Sequence, residues 1–239
     1  DPEKFGYSIL GVMFLSFAKW ILEDAIQRKV ERVYFLARDG EIVKRCYDCL
    51  ACCYKGAPKS YYLLASRRGV NVPSLFSKED IFNSLSVNFS PIKLKDLFFK
   101  RFGVRLTHQM IELNRELFAS IDEVVKFPRD LEKLKEFASS IADKILANAS
   151  EERALLLDYF EKQDLMKSGK IAFVDIGHQG SLQKSICALV GKAAHGYYFS
   201  TFKSIENFLK WPNTYSAFYQ ENISPKDKDN PYIKHILMF

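Results

Sequence analysis

The sequence predicts an α/β fold: a three-layer domain on a parallel sheet, interrupted by a helical insertion after the second strand. Three observations predict it. Short apolar, β-branched and aromatic runs at 32–37, 60–65 and 170–175 each end in a polar group, the grammar of a buried strand feeding a βα loop. Helical periodicity follows the first run, and a turn signal at Gly56-Ala57-Pro58 precedes the second, which makes a right-handed βαβ unit. From 77 to 167 no convincing strand appears, only helical pieces separated by cap and turn residues.

In chain order, residues 6–29 read as a long helix. Its stripe is Leu10, Met13, Phe14, Phe17, Trp20, Ile21, Asp24 and Ile26. The strand at 32–37 runs into a helix over 41–54, whose sheet-facing stripe is expected to hold Ile42, Val43, Cys46, Cys49, Leu50 and Cys53. The insertion holds helices near 78–85, 92–102, 107–118, 129–147 and 151–162, with Ser77 and Asp80 as an N-cap signal and breaks at Gly103, Pro128 and Ser150. The sheet resumes at 170–175. A helix from 181 to 191, a strand at 195–199 and an edge strand at 215–219 follow. The organisation is thus an α/β core from 1–76 and 168–239 with a helical, cap-like insertion over 77–167. The insertion serves either as a lid over the strand ends or as a subdomain that binds a partner.

Composition sets limits. The chain has 239 residues, a net charge of +6, 48% hydrophobic and 27% charged residues, ordinary for a globular protein of one large domain. No basic cluster is interleaved with aromatics, so nucleic acid is not an expected partner. No run of 18 apolar residues occurs, so no transmembrane segment is expected. The chain opens on Asp1 without an initiator methionine, a basic leader or a cleavage motif, so no secretory signal is expected and the chain is expected to be part of a longer protein. Five cysteines in that setting predict reduced thiols and a cytoplasmic location. Cys46, Cys49 and Cys52 have the C-x-x-C-x-x-C spacing of an iron–sulfur ligand set but lack the fourth Cys followed by Pro. The expected reading is a buried, metal-free stripe containing Cys46, Cys49 and Cys53.

Chemistry concentrates at the strand ends, where parallel sheets present reactive groups. Asp39 at the first end is a candidate nucleophile or Mg²⁺ ligand, and Gly40 lets the backbone approach a phosphate. The bland alternative is an Asp that caps the next helix. At the second end, Ser66 can hold a phosphoryl oxygen and Arg67 and Arg68 can pair with phosphate, or either arginine can bridge to Asp39 or Asp175. At the third, Asp175 opens a loop in which Gly177, Gln179, Gly180 and Ser181 lead into a helix. Ser181 is the expected N-cap, and the amides beside it suit an anion. The loop matches neither a Walker A nor a dinucleotide-binding motif. His178 is a candidate general acid or base, or an ordinary surface histidine.

These motifs carry a resemblance. Phe35-Leu36-Ala37-Arg38-Asp39-Gly40, Ala65-Ser66-Arg67-Arg68 and Val174-Asp175-Ile176-Gly177-x-x-Gly180-Ser181-x-Gln183 resemble the HAD-like (haloacid dehalogenase superfamily) domain found beside bacterial glycosyltransferases of surface polysaccharide synthesis. The resemblance runs over about residues 6–199. It implies a Rossmann-like sheet and a site for Mg²⁺ and a phosphorylated or nucleotide-linked small molecule. It also implies a glycosyltransferase domain on the same or a neighbouring chain. One departure stands out. The family motif is Asp-x-Asp-Gly, and matching Asp39-Gly40 to its second half places Ala37 at the nucleophile. Matching Asp39 to the nucleophile instead puts Glu41 at the acid/base. Asp175 stands alone where the family usually offers two acids. Three functions remain open on this reading: a phosphate-binding domain with weak or degenerate Mg²⁺-dependent phosphatase activity, a non-catalytic scaffold or regulatory module beside a glycosyltransferase, and part of a sugar-nucleotide-dependent transferase.

Overall fold

The computed structural model describes residues 1–227 and 229–235. Its elements run α1 (Pro2–Phe5), a π-helical stretch (Gly6–Gly11), α2 (Val12–Gln27), β1 (Arg32–Leu36), α3 (Gly40–Ala51) and β2 (Lys59–Leu63). Next come α4 (Arg67–Asn71), α5 (Lys78–Leu85), β3 (Ile92–Lys93), α6 (Leu94–Phe102), α7 (His108–Glu112), β4 (Val124–Val125), α8 (Leu131–Ser140) and α9 (Ala142–Lys162). The chain continues through β5 (Ile171–Asp175), α10 (Ser181–Val190), β6 (His195–Phe202), a 3₁₀ turn (Lys203–Asn207), β7 (Thr214–Ile223) and α11 (Pro231–His235). It divides into two compact units, one of Asp1–Ser66 with Phe160–Phe239 and one of Arg67–Tyr159.

The first unit is an α/β domain on a five-stranded sheet of order β2-β1-β5-β6-β7, every pair parallel. This is a Rossmann-like, doubly wound arrangement. The chain leaves β1 toward β2, then resumes on the other side of β1 at β5, so the winding reverses between β1 and β5. In open α/β sheets ligands settle in the crevice at that reversal, outside the carboxyl ends of the strands. The register aligns those ends: Leu36 pairs with Leu63, Phe35 with Val174, and Asp175 with Tyr198.

Side-chain alternation explains the layers. Val33 and Phe35 of β1, Ala172 and Val174 of β5 and Tyr197 and Phe199 of β6 form one face, packed by Phe17 and Ile21 of α2 and Val43 and Tyr47 of α3. Tyr34 and Tyr198 take the opposite face. Tyr34 stacks on Tyr61 and donates to the Gln163 carbonyl, and Tyr198 donates to Gln183 of α10. Both sheet faces are therefore covered, as parallel strands require.

Two expectations about helices change. On α3 the buried residues are Gly40, Val43 and Tyr47, while Ile42, Cys49, Cys52 and Cys53 are exposed and Cys46 is half-buried. The buried Cys46–Cys49–Cys53 stripe is thus overturned. Tyr47 is the larger apolar group, and its hydroxyl donates to the Pro58 carbonyl at 3.0 Å, which rotates the helix away from the cysteines. Near the N-terminus the regular α-helix starts at Val12, after the π-helical stretch, and its buried residues begin at Phe17.

The second unit is mainly helical. Its core joins Val72 and Leu75 to Ile81, Leu85, Phe98, Phe102, Phe137 and Ile145. Val72 and Leu75 in that core explain why the unit begins at Arg67, ahead of the sequence-based boundary at 77. Ser77 accepts from the Asp80 amide and Asp80 returns the bond, a complete capping box on α5. A two-residue antiparallel ribbon, β3 with β4, occurs where only helix was expected. The last helix break lies at Ile141 and not at Ser150, because Ile145 and Ala149 are fully buried and packing overrides the cap signal.

Candidate functional site

The carboxyl ends of β1, β2 and β5 carry Asp39, Ser66 and Asp175. With Leu36 opposite Leu63, Asp39 and Ser66 each lie three residues past paired positions, and Asp175 is the last residue of β5. All three belong to one edge of one sheet. The Ala37 amide donates to the Leu63 carbonyl at 3.0 Å, which holds the first loop against the end of β2.

Asp39 precedes α3 as its N-cap but makes no side-chain capping bond. Its side chain is 69% exposed, and the nearest cation is Arg38, with Nε 4.0 Å from Oδ1. A carboxylate at a helix start that does not cap the helix can accept an external ligand. Gly40 has a structural cause. A Cβ there would meet the Phe35 main-chain carbon at 3.1 Å, so glycine lets α3 turn in against its own strand. Close approach to β1 is sufficient to account for it.

Asp175 is half-buried and accepts from the Gly177 amide at 2.8 Å, so the loop folds back over its own carboxylate. A Cβ on Gly177 would stand 3.0 Å from Asp175 Oδ1, which makes glycine the residue that fits this turn. Gly180 adopts a left-handed conformation, φ 69°, and is the N-cap of α10, where a Cβ would meet Leu209 at 2.7 Å. Ser181 is therefore the first helical residue and not the N-cap, and no side chain caps this end. The first amides of α10 have no intrahelical acceptor, which leaves a donor-rich, positively polarised end beside Asp175. Gln179 is exposed on the loop.

Other candidates have structural occupations. Arg68 forms a bidentate pair with Glu152 at 2.8 and 2.9 Å and lies over the Phe99 ring, all within the helical unit. Arg67 is exposed at the start of α4. The His178 ring lies tilted against Phe202 with centroids 4.6 Å apart, its Nδ1 lies 3.1 Å from the Ser200 carbonyl oxygen, and its own carbonyl accepts from the Phe202 amide. These contacts explain His178 as an anchor between the loop and β6. Gln183 is fully buried, donates to the Ala194 and Thr214 carbonyls and accepts from Tyr198, so it ties α10 to two strands. Arg38, 95% exposed beside Asp39, is a cation at this edge to which the sequence pattern assigned no role. Its place inside the strand-end motif was the available signal.

Among the described residues no cluster of three or more His, Cys, Asp or Glu forms a metal site. Two carboxylates are nonetheless a suitable donor set for Mg²⁺, which is held by one or two carboxylates together with water and substrate phosphate oxygens. A cavity of about 630 Å³ opens at the opposite edge of the sheet, lined by Arg28, Lys170, His195, Trp211 and Thr214 among others. Two of its lining cations, Arg28 and Lys170, are already engaged. Lys170 donates to the Arg28 carbonyl, and Arg28 pairs with Asp24, which also accepts from Tyr197. That edge also receives the C-terminal, negative ends of α2 and α10, so it disfavours anions where the carboxyl edge favours them. Among the described residues no helix is long and apolar enough to cross a membrane. No protein-family model matches the chain, and no curated protein matches it.

Proposed function

We propose that the carboxyl edge of the sheet binds a phosphate-bearing small molecule with Mg²⁺, in the manner of a HAD-like domain, without phosphoenzyme turnover. The observation that carries this reading is the reversal of strand order between β1 and β5, which sets the Asp39 loop and Asp175 at adjacent strand ends. Asp39 and Asp175 would hold the metal, which supplies charge neutralisation for the phosphate. Ser66, Gly177, Gly180 and Ser181 with the first amides of α10 would hold the phosphate oxygens. With Asp39-Gly40 matched to the second half of the family motif, Ala37 would fall at the nucleophile position, and a methyl group cannot attack phosphorus. Binding therefore outlasts hydrolysis. The resemblance extends the reading to a phosphorylated or nucleotide-linked sugar as ligand and a glycosyltransferase domain as partner in bacterial surface polysaccharide synthesis.

Titration calorimetry with a sugar phosphate, with and without Mg²⁺, tests the reading. Mg²⁺-dependent binding, weakened at least about tenfold by Asp39→Asn because a charged ligand contact is lost, is expected. A sugar nucleotide that binds tightly without Mg²⁺ would favour the transferase reading. Absence of binding to either would favour the scaffold. Robust Mg²⁺-dependent hydrolysis through a phosphoenzyme on Asp39 would show Asp39 to be the nucleophile.

A further inference from the structure

We propose that the thiols of Cys49, Cys52 and Cys53, at the C-terminal end of α3, bind one soft, thiophilic metal ion of the Zn²⁺ class. Four of the chain's five cysteines fall within residues 46–53. Cys49, Cys52 and Cys53 are free and exposed. A free cysteine that serves packing behaves as a small hydrophobe and is buried. Three exposed together at one helix end serve no packing, and the chemistry left to them is that of the thiol as a ligand.

Distances identify the ligand class. Cys52 Sγ stands 3.7 Å from Cys53 Sγ. Two thiolates on one tetrahedral Zn²⁺, each at ~2.3 Å, stand about 3.8 Å apart, so this pair already has the separation that a shared ion imposes. A disulfide between the two is disfavoured, because neighbouring Cα atoms lie ~3.8 Å apart and a disulfide spans ~4.4–6.8 Å. Cys49 precedes them by three and four residues, the spacings that bring helical side chains to one side, and its carbonyl accepts from the Cys52 thiol at 3.2 Å. Among the described residues no three ligands converge as they stand. Rotation of the exposed Cys49 side chain about χ1 supplies the third thiolate, and water takes the fourth position. The site also suits a cation electrostatically: α3 ends at Ala51 with Cys52 as its C-cap, and a helix C-terminus is its negative end. Thiolate selects a soft ion, whereas Mg²⁺ takes oxygen ligands. The 12 residues of α3, at ~1.5 Å each, set the thiols about 18 Å from Asp39, so the inference stands whether or not the strand-end loops bind phosphate.

Titration of the fully reduced 239-residue chain with Cd²⁺, a spectroscopic stand-in for Zn²⁺, is the test, followed by the ultraviolet thiolate-to-metal absorption band. One ion per chain is expected, displaced by Zn²⁺ and not by Mg²⁺. Cys52→Ser combined with Cys53→Ser should abolish the band. Cys49→Ser should weaken binding at least about tenfold, since loss of even an outer-shell partner of a metal ligand costs that much. Cys46→Ala should leave the affinity unchanged, and unchanged circular dichroism shows that each variant folds. Absence of the band at stoichiometric Cd²⁺ overturns the proposal. So does a band that survives the Cys52→Ser, Cys53→Ser double variant, or a complex in which one ion bridges two chains.

Discussion

Gly196 has no side chain because Gln183 and Tyr198 fill the place where one would stand: a Cβ there would overlap the Gln183 amide oxygen and lie 2.5 Å from Tyr198 Cε2. Gly196→Ala should cost about 2–3 kcal/mol, as overpacking of a rigid core does, and a urea titration at neutral pH measures it. His195 on the same strand is 7% exposed, its Nδ1 lies 2.8 Å from Thr214 Oγ1, and its buried Nε2 has no partner. Burial, reinforced by Arg28 and opposed by Asp24, holds its pKa down to about 4 from 6.5. Above pH 6.5 both folded and unfolded states are neutral at this residue and its stabilising contribution is complete. As pH falls from 6.5 toward 4 the unfolded chain takes up the proton first, and up to about 3 kcal/mol of stability is lost. Urea midpoints should drop across that window, and less so in His195→Gln. At this scale the sequence was legible for Asp39 and Asp175, because strand-end position depends on local pattern. It was not legible for Arg68, whose acceptor Glu152 lies 84 residues away, nor for Gly180, whose neighbours Leu209 and Ile205 come from a distant turn.

At the scale of the element, α3 shows where periodicity misleads. Counting cysteines as hydrophobes yields one stripe, whereas Tyr47 and its bond to Pro58 select another. The consequence is measurable. Cys49, Cys52 and Cys53 are exposed, and Cys187 is buried with its thiol pushed up to about 12 by desolvation. A thiol-alkylating reagent should label those three in the native protein and reach Cys187 only after unfolding, since reactivity follows thiolate fraction and access. Mass spectrometry of peptides from native and urea-treated samples distinguishes this from a buried stripe. Strands β1 and β5 were legible because both faces are buried and their apolar runs are continuous. The ribbon of β3 and β4 was not, because two residues per strand leave no period to read.

For the whole molecule, strand order decides which edge can bind. Local pattern supplied the parallel α/β class, but the order β2-β1-β5-β6-β7 comes from long-range pairing that the sequence does not display. That order sets the reversal between β1 and β5, and with it the side of the sheet where the Asp39 loop, Asp175 and the start of α10 gather. The cavity at the other edge is lined by Arg28 and Lys170, which already engage the Asp24 carboxylate and a main-chain carbonyl. Backbone amide chemical shifts recorded during titration with Mg²⁺ and a sugar phosphate distinguish the two edges most directly. Perturbations confined to Asp39, Gly40, Ser66 and the amides from Gly177 to Gln183 are expected, with their loss in Asp39→Asn. Perturbations centred on Arg28, Lys170, His195 and Trp211, or no perturbation at saturating ligand, would contradict a phosphate site at the carboxyl edge.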